Sequence, residues 1–281
     1  MNRKIGITIR GSVLALLLVS GISHGQGRGL QVPSYTPTVT PFDKLPDWSG
    51  VWQMVGPTVF DTGTQTGKGG ATDIGVREHP PYNAEWEALY QKNLAKRDKA
   101  MLPDTNTFCG IPAGFPRIFN VPDPYEFVIR PEASWILTEN GPNTARIYTD
   151  GRKHLDDQWE TYTGDSVGHW EGDTLVFTTI AMKGNRDGDG ILDRTGLIVS
   201  DKSRVTTRIR RTDANTMEVV MTIEDSKALT KPWVVTKHFR KLPVGTRVYD
   251  YACRENNRNP VDEKTGKTLV LDQNGKPLNL D

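Results

Sequence analysis

The stretch GDSVGHWEGDTLVF, residues 164–177, decides how this chain folds. Its first five residues, Gly164-Asp165-Ser166-Val167-Gly168, match G-x-S-x-G, the nucleophile elbow of serine hydrolases. An elbow needs a strand, a sharp turn and then a helix that begins behind the serine. Here Ser166 is followed by His169-Trp170, by the turn residues Glu171-Gly172-Asp173, and then by the β-branched and aromatic run Thr174 to Ile180. The order is strand, turn, strand. Ser166 therefore reads as a residue of a hairpin wall. Gly164 and Gly168 read as places where the chain bends or passes close to a neighbour.

The same grammar runs through the second half of the chain. EFVIR (126–130), SWILTE (134–139), ARIYT (145–149), SVGHW (166–170), TLVFTTI (174–180), SRVTTRIRR (203–211), MEVVMTIED (217–225) and WVVTKHFRK (233–241) are short runs of strand-forming residues. Turn chemistry separates them at Asn140-Gly141-Pro142, Asp150-Gly151, Glu171-Gly172-Asp173 and Asp213-Ala214-Asn215. Nearly all connections are too short for a crossover helix, which predicts antiparallel pairing of consecutive strands. Eight or more such strands lose their exposed edges best by closing. The expectation is mainly β: an antiparallel meander closing into a lipocalin-like barrel or a strongly curved sheet. Asp47-Trp48-Ser49-Gly50-Val51-Trp52-Gln53 opens a further strand. One amphipathic helix is expected over about 84–101. Asn83 is its cap, Trp86, Leu89, Tyr90 and Leu94 its apolar stripe, and Glu85 and Glu87 lie in its first turn.

The first 25 residues have the layout of a secretory signal: Arg3, Lys4 and Arg10, an apolar run over Val13 to Val19, then the small residues Ser23 and Gly25. The apolar run is shorter than the roughly 20 residues of a membrane span. Cleavage is expected after Gly25, with a retained anchor as the alternative, and the protein is expected to be periplasmic or secreted. Residues 26–46 form an extended lead-in, 47–260 a single barrel-like domain, and 261–281 a tail or hairpin around Asn274-Gly275. Without residues 1–25 the chain keeps 32 basic against 34 acidic residues. That balance offers no electrostatic basis for nucleic acid or an anionic membrane as partner. An oxidising compartment favours pairing Cys109 with Cys253, against two buried free thiols. Homo-oligomer formation is compatible with the sequence but not specified by it.

Four motifs carry a resemblance: TDGRKH (149–154), GDSVGHWEGDTLVF, TIEDSKALTKPWVVTKHFRK (222–241) and YACRENNRNP (251–260). Together with the opening Asp47-Trp48-Ser49-Gly50-Val51-Trp52 and the Cys-x-x-Pro-x-Gly-x-Pro-Arg segment (109–117), the chain resembles a widespread family of secreted bacterial proteins. Members pair D-x-S-G-V-W with G-x-S-x-G-x-WEGDTLV. The resemblance implies a lipocalin-like barrel more than a reaction. Many members have His-Ser-Asp-x-x-His before the strand that matches SRVTTRIRR. This chain has Val199-Ser200-Asp201-Lys202-Ser203-Arg204 instead, so no role of those imidazoles transfers.

Candidate chemistry comes from side chains at predicted strand ends. His154 follows a turn, and an imidazole exchanges protons near neutral pH. Arg117 is a candidate anchor for a carboxylate or phenolate, or else a salt-bridge partner. Tyr148 and Tyr162 are candidate partners of His154. Asp165, Glu171 and Asp173 read as turn acids that cap backbone amides. Tyr125, Trp135, Trp159, Trp170, Trp233 and Tyr251 are candidates to line a pocket for a small apolar or aromatic molecule, or else to pack a core. Asn185, Asp187, Asp189, Ile191 (through its carbonyl) and Asp193 have the spacing of a calcium loop, but Gly196 stands where the bidentate acid belongs. The histidines lack zinc spacing, and no nucleotide or haem motif suggests an organic cofactor. The leading expectation is an extracytoplasmic small-molecule enzyme doing lyase- or hydratase-type acid–base chemistry. The alternative is a non-catalytic periplasmic carrier of the same architecture.

Overall fold

The computed structural model describes residues 35–56, 60, 65–66, 76–77, 80–98, 114–139, 144–184, 191–193, 196–249 and 276. The strands are β1 (Val51–Met54), β2 (Gln65–Thr66), β3 (Val76–Arg77), β4 (Tyr125–Ile129), β5 (Ala133–Thr138), β6 (Thr144–Tyr148), β7 (Asp165–Glu171), β8 (Thr174–Ile180), β9 (Ser203–Arg211), β10 (Thr216–Asp225) and β11 (Trp233–Lys241). Helix α1 spans Ala84–Asp98, and short 3-10 turns span Phe42–Lys44 and Arg117–Asn120. Nine strands close into a barrel in the order β1-β11-β10-β9-β8-β7-β6-β5-β4, sealed where β1 pairs β4. β2 and β3 pair only with each other.

The hairpin reading of the opening stretch holds. β7 turns directly into antiparallel β8, with Ser166 opposite Thr179 and Trp170 opposite Leu175. Gly164, immediately before β7, has a φ of +67°, a backbone that side chains disfavour. At Gly168 a Cβ would stand 2.2 Å from the Val176 carbonyl oxygen and 2.5 Å from the Phe177 Cβ. Both glycines are thus required by conformation or closeness.

One pairing departs from the expected meander. β6 and β7 run parallel, with Ile147 opposite Ser166 and Tyr148 opposite Val167. The physical reason is the length of the segment between them. Residues 149–164 suffice to carry the chain back along the barrel, which a parallel pair requires and a two-residue turn cannot do.

The interior of the barrel is filled. Alternation turns Val205, Thr207 and Ile209 of β9 inward, with Met217, Val219, Met221 and Ile223 of β10 and Trp233, Val235, Lys237 and Phe239 of β11. The segment 115–121 enters as a plug. Phe119 lies 6.3 Å from Phe239 and Phe115 lies 5.9 Å from Phe177, ring to ring. The Tyr125 hydroxyl, fully buried, donates to the Ile118 carbonyl at 2.7 Å and accepts the Val121 N–H at 3.0 Å, which fastens the plug to β4. Trp48 packs against Trp170 at 5.1 Å and Phe127 at 6.1 Å. Burying side chains of this size contributes about 1.5–3 kcal/mol each.

Helix α1 begins as expected: the Trp86 N–H donates to Asn83 Oδ1 at 3.1 Å. Trp86 packs with Ile191, Ile198 and Ala228, while Tyr90 joins the main core. Among the described residues no helix is long and apolar enough to cross a membrane. The signal segment 1–25, Cys109, Cys253, Tyr251 and the tail turn Asn274-Gly275 lie outside the described residues.

Gly168→Ala is expected to lower unfolding free energy by about 1–3 kcal/mol in urea titration, because the added methyl group must displace β8 backbone. Gly172→Ala, where nothing lies within 4 Å of the new Cβ, should cost only the backbone preference of its positive φ, about 1 kcal/mol.

Candidate functional site

The parallel β6–β7 pair creates the site, because its crossover lies against the outer face of the barrel. On β7 the inward residue is Ser166, so its neighbour Asp165 faces outward. His154, in the crossover, presents Nδ1 to Asp165 Oδ2 at 2.6 Å. The two side chains are 18% and 13% exposed. The other imidazole nitrogen, Nε2, is buried and has no hydrogen-bond partner among the described residues. A carboxylate on Nδ1 holds the proton of a neutral imidazole there and leaves Nε2 as the acceptor. One nitrogen is held and the other has no partner among the described residues, an arrangement that can accept a proton at Nε2.

A second cluster organises the same crossover. Arg152 donates to Asp150 through Nε at 2.9 Å and Nη2 at 2.6 Å. The Tyr35 hydroxyl also donates to Asp150, and Arg152 Nη2 reaches the Tyr35 hydroxyl at 3.0 Å. The Arg152 guanidinium lies 3.7 Å from the centre of the Tyr148 ring. Burial would raise the Asp150 pKa, but the hydrogen bonds from Arg152 and Tyr35 prevail and hold it down to about 2.

The other expected site residues are spread through the fold. Arg117 is buried in the plug, where its guanidinium donates to the Ile191 carbonyl at 3.3 Å. Tyr148 is outside the barrel under Arg152. Tyr162 carries Lys183 Nζ 4.4 Å from its ring centre, and the Phe115 N–H donates to its carbonyl at 2.6 Å. Among the described residues His154 hydrogen-bonds to Asp165, and to none of Arg117, Tyr148 or Tyr162. Tyr125 and Trp233 are core residues, the latter 5.6 Å from Phe60. Trp170 is half-buried beneath Trp48. Trp135 lies on the outer wall with Arg146 at 5.8 Å, and Trp159 is 56% exposed.

Of the calcium-loop residues, Asn185, Asp187 and Asp189 lie outside the described set. The Ile191 carbonyl takes Arg117, and the Asp193 carboxylate accepts the Phe60 N–H at 2.7 Å. Among the described residues no three His, Cys, Asp or Glu side chains group as metal ligands.

Two acids expected to cap turns bind side chains instead. Asp165 holds His154, and Glu171 holds Arg208 at 2.8 Å and His169 at 3.2 Å. Ser166 is buried, with its hydroxyl 2.8 Å from Thr179 Oγ1. Sequence reasoning missed Asp150, Arg152 and Tyr35, although the first two belong to the TDGRKH motif. It also missed Lys237, buried with Nζ 2.9 Å from Asn120 Oδ1. Alternation with Trp233, Val235 and Phe239 is the signal that places Lys237 inside.

No protein-family model matches the chain, and no curated protein matches it. The functional reading rests on these side chains themselves.

A fluorophosphonate probe is expected to leave Ser166 unlabelled; mass spectrometry finding a phosphonylated Ser166 peptide would contradict its role as a wall residue. The Asp150 pair makes a second prediction. Its depressed pKa means stability present above the ordinary carboxylate range near 4 and lost as pH falls through about 2. Asp150→Asn should therefore lower Tm by about 5 °C at pH 7. The difference from the unsubstituted protein should shrink toward zero as melts are repeated down to about pH 2.

Proposed function

We propose that this protein is an extracytoplasmic small-molecule enzyme that moves protons with side chains, in a lyase- or hydratase-type step on an apolar, aromatic substrate. One observation carries the proposal: the His154–Asp165 couple, bonded at 2.6 Å, with a buried Nε2 that no group among the described residues satisfies. An unsatisfied buried nitrogen costs free energy, so its retention is more readily understood if a substrate completes it. In the proposed step Nε2 takes the proton from the carbon beside the bond that breaks. The leaving oxygen then takes that proton back from the imidazolium, so the couple ends as it began. Asp165 stabilises the imidazolium in between, which makes it a positioning residue. Leu155 and Trp159 stand exposed on the same crossover and offer apolar surface for the substrate.

A second reading, a non-catalytic carrier, is favoured by two other groups. The buried hydroxyls of Thr207 and Ser134 lack hydrogen-bond partners among the described residues, and alternation turns both toward the barrel interior. A carrier would have to part this packed interior to hold a ligand there, and density for a co-purified ligand would separate the two readings by its position.

The enzyme reading is tested by incubating the protein with a library of aromatic acids, alcohols and unsaturated derivatives, following gain or loss of water by mass spectrometry. For any compound turned over, His154→Ala is expected to reduce kcat by about 10²–10⁴-fold. Asp165→Asn should reduce it in the same direction. Unchanged turnover in His154→Ala would remove His154 from the mechanism.

A further inference from the structure

The crossover that carries His154 is fastened by backbone hydrogen bonds at both ends, and between them it is held by side chains, chiefly His154 on Asp165 and Arg152 on the Tyr148 ring. At its far end the Thr161 N–H donates to Ala181, and the Lys183 N–H to the Thr161 carbonyl, each at 2.9 Å. The Tyr162 carbonyl accepts the Phe115 N–H. At its near end the anchor comes from the lead-in to the barrel. The Thr38 N–H donates to the Asp150 carbonyl at 2.9 Å, and the Tyr35 hydroxyl bonds both the Asp150 carboxylate and Arg152. From Gly151 to Glu160, no backbone–backbone hydrogen bond joins the crossover to another described residue. His154 lies in that stretch, two residues beyond Arg152, with Nε2 sealed from solvent.

Segments with few backbone hydrogen bonds open locally at lower cost, and the contacts that remain set that cost. We propose that the lead-in Tyr35–Thr38 is a latch on the catalytic crossover. Docked on Asp150 and Arg152, it keeps the crossover down and His154 Nε2 covered. Undocked, it lets the crossover loosen around the retained His154–Asp165 bond and exposes Nε2 to the substrate. Asp150 and Arg152 are then positioning residues that act through His154. The functional meaning of the latch rests on His154 as the proton carrier, but access to Nε2 is measurable without any substrate.

Diethyl pyrocarbonate carbethoxylates accessible imidazole nitrogens, and peptide mass spectrometry reads the rate at each histidine. His169 and His238, with side chains 65% and 51% exposed, are internal references. In the full-length protein His154 is expected to react more slowly than either. Tyr35→Phe should speed His154 by about 3-fold, and the Tyr35→Phe/Thr38→Pro double variant by about 10-fold or more, with the references unchanged. An unchanged His154 rate in the double variant would overturn the latch, as would a His154 rate equal to the references in the unsubstituted protein. Should the double variant lose its cooperative melt, Tyr35→Phe and Asp150→Asn carry the same comparison. The two proposals fail separately: unaltered turnover in His154→Ala ends the enzymatic reading, whereas the carbethoxylation rates decide the latch alone.

Discussion

A ring of strands that alternate in direction must contain an even number of them. This barrel has nine, so at least one pair of neighbours has to run the same way, and that pair is β6 and β7. A parallel pair cannot be joined by a tight turn. The chain has to leave the end of β6, travel back over the wall, and re-enter at the start of β7. That excursion is residues 149–164. It carries Asp150, Arg152 and His154, and it ends on the strand that supplies Asp165. The candidate chemistry therefore lies on the outside of the barrel, at the point that the odd strand number forces.

The inside has a different character. Plug and strands interlock through aromatic edges, with Tyr125 and Phe239 4.9 Å apart. Two buried cations there are hydrogen-bonded: Lys237 to Asn120, and Arg117 to the Ile191 carbonyl. Burying a charge costs least where hydrogen bonds replace water. The same holds at the closing edge of β10, where the Asp225 carboxylate accepts from Ser200 N–H at 2.7 Å and from Ser200 Oγ at 2.6 Å.

Much of the wall was legible in the sequence. The runs at 203–211, 217–225 and 233–241 alternate in burial, 174–180 is a β-branched and aromatic run, and the strands found at all four begin and end at the same residues or within one of them. The glycines of the opening stretch read as architectural because strand follows turn, and Asn83 read as a cap because of its chemistry. What was not legible is whatever depends on closure. Nothing local in ARIYT or SVGHW states that they run parallel. The partnership of His154 with Asp165 follows only once the crossover is folded back on β7. The plug at 115–121 has no period to reveal it, since its side chains are inward in a turn of 3-10 helix instead of a strand.

The seam of the ring has a temporal side. β1 lies between β4 and β11, and its Trp52 faces Tyr125 on one flank and Lys241 on the other. The chain must therefore be nearly complete before its earliest wall segment can be enclosed on both sides. Contacts separated so widely along the polypeptide impose a large loop-closure entropy and form slowly. Until β11 arrives, β1 keeps one edge unpaired, and the hydrophobic filling stays open along a single slit.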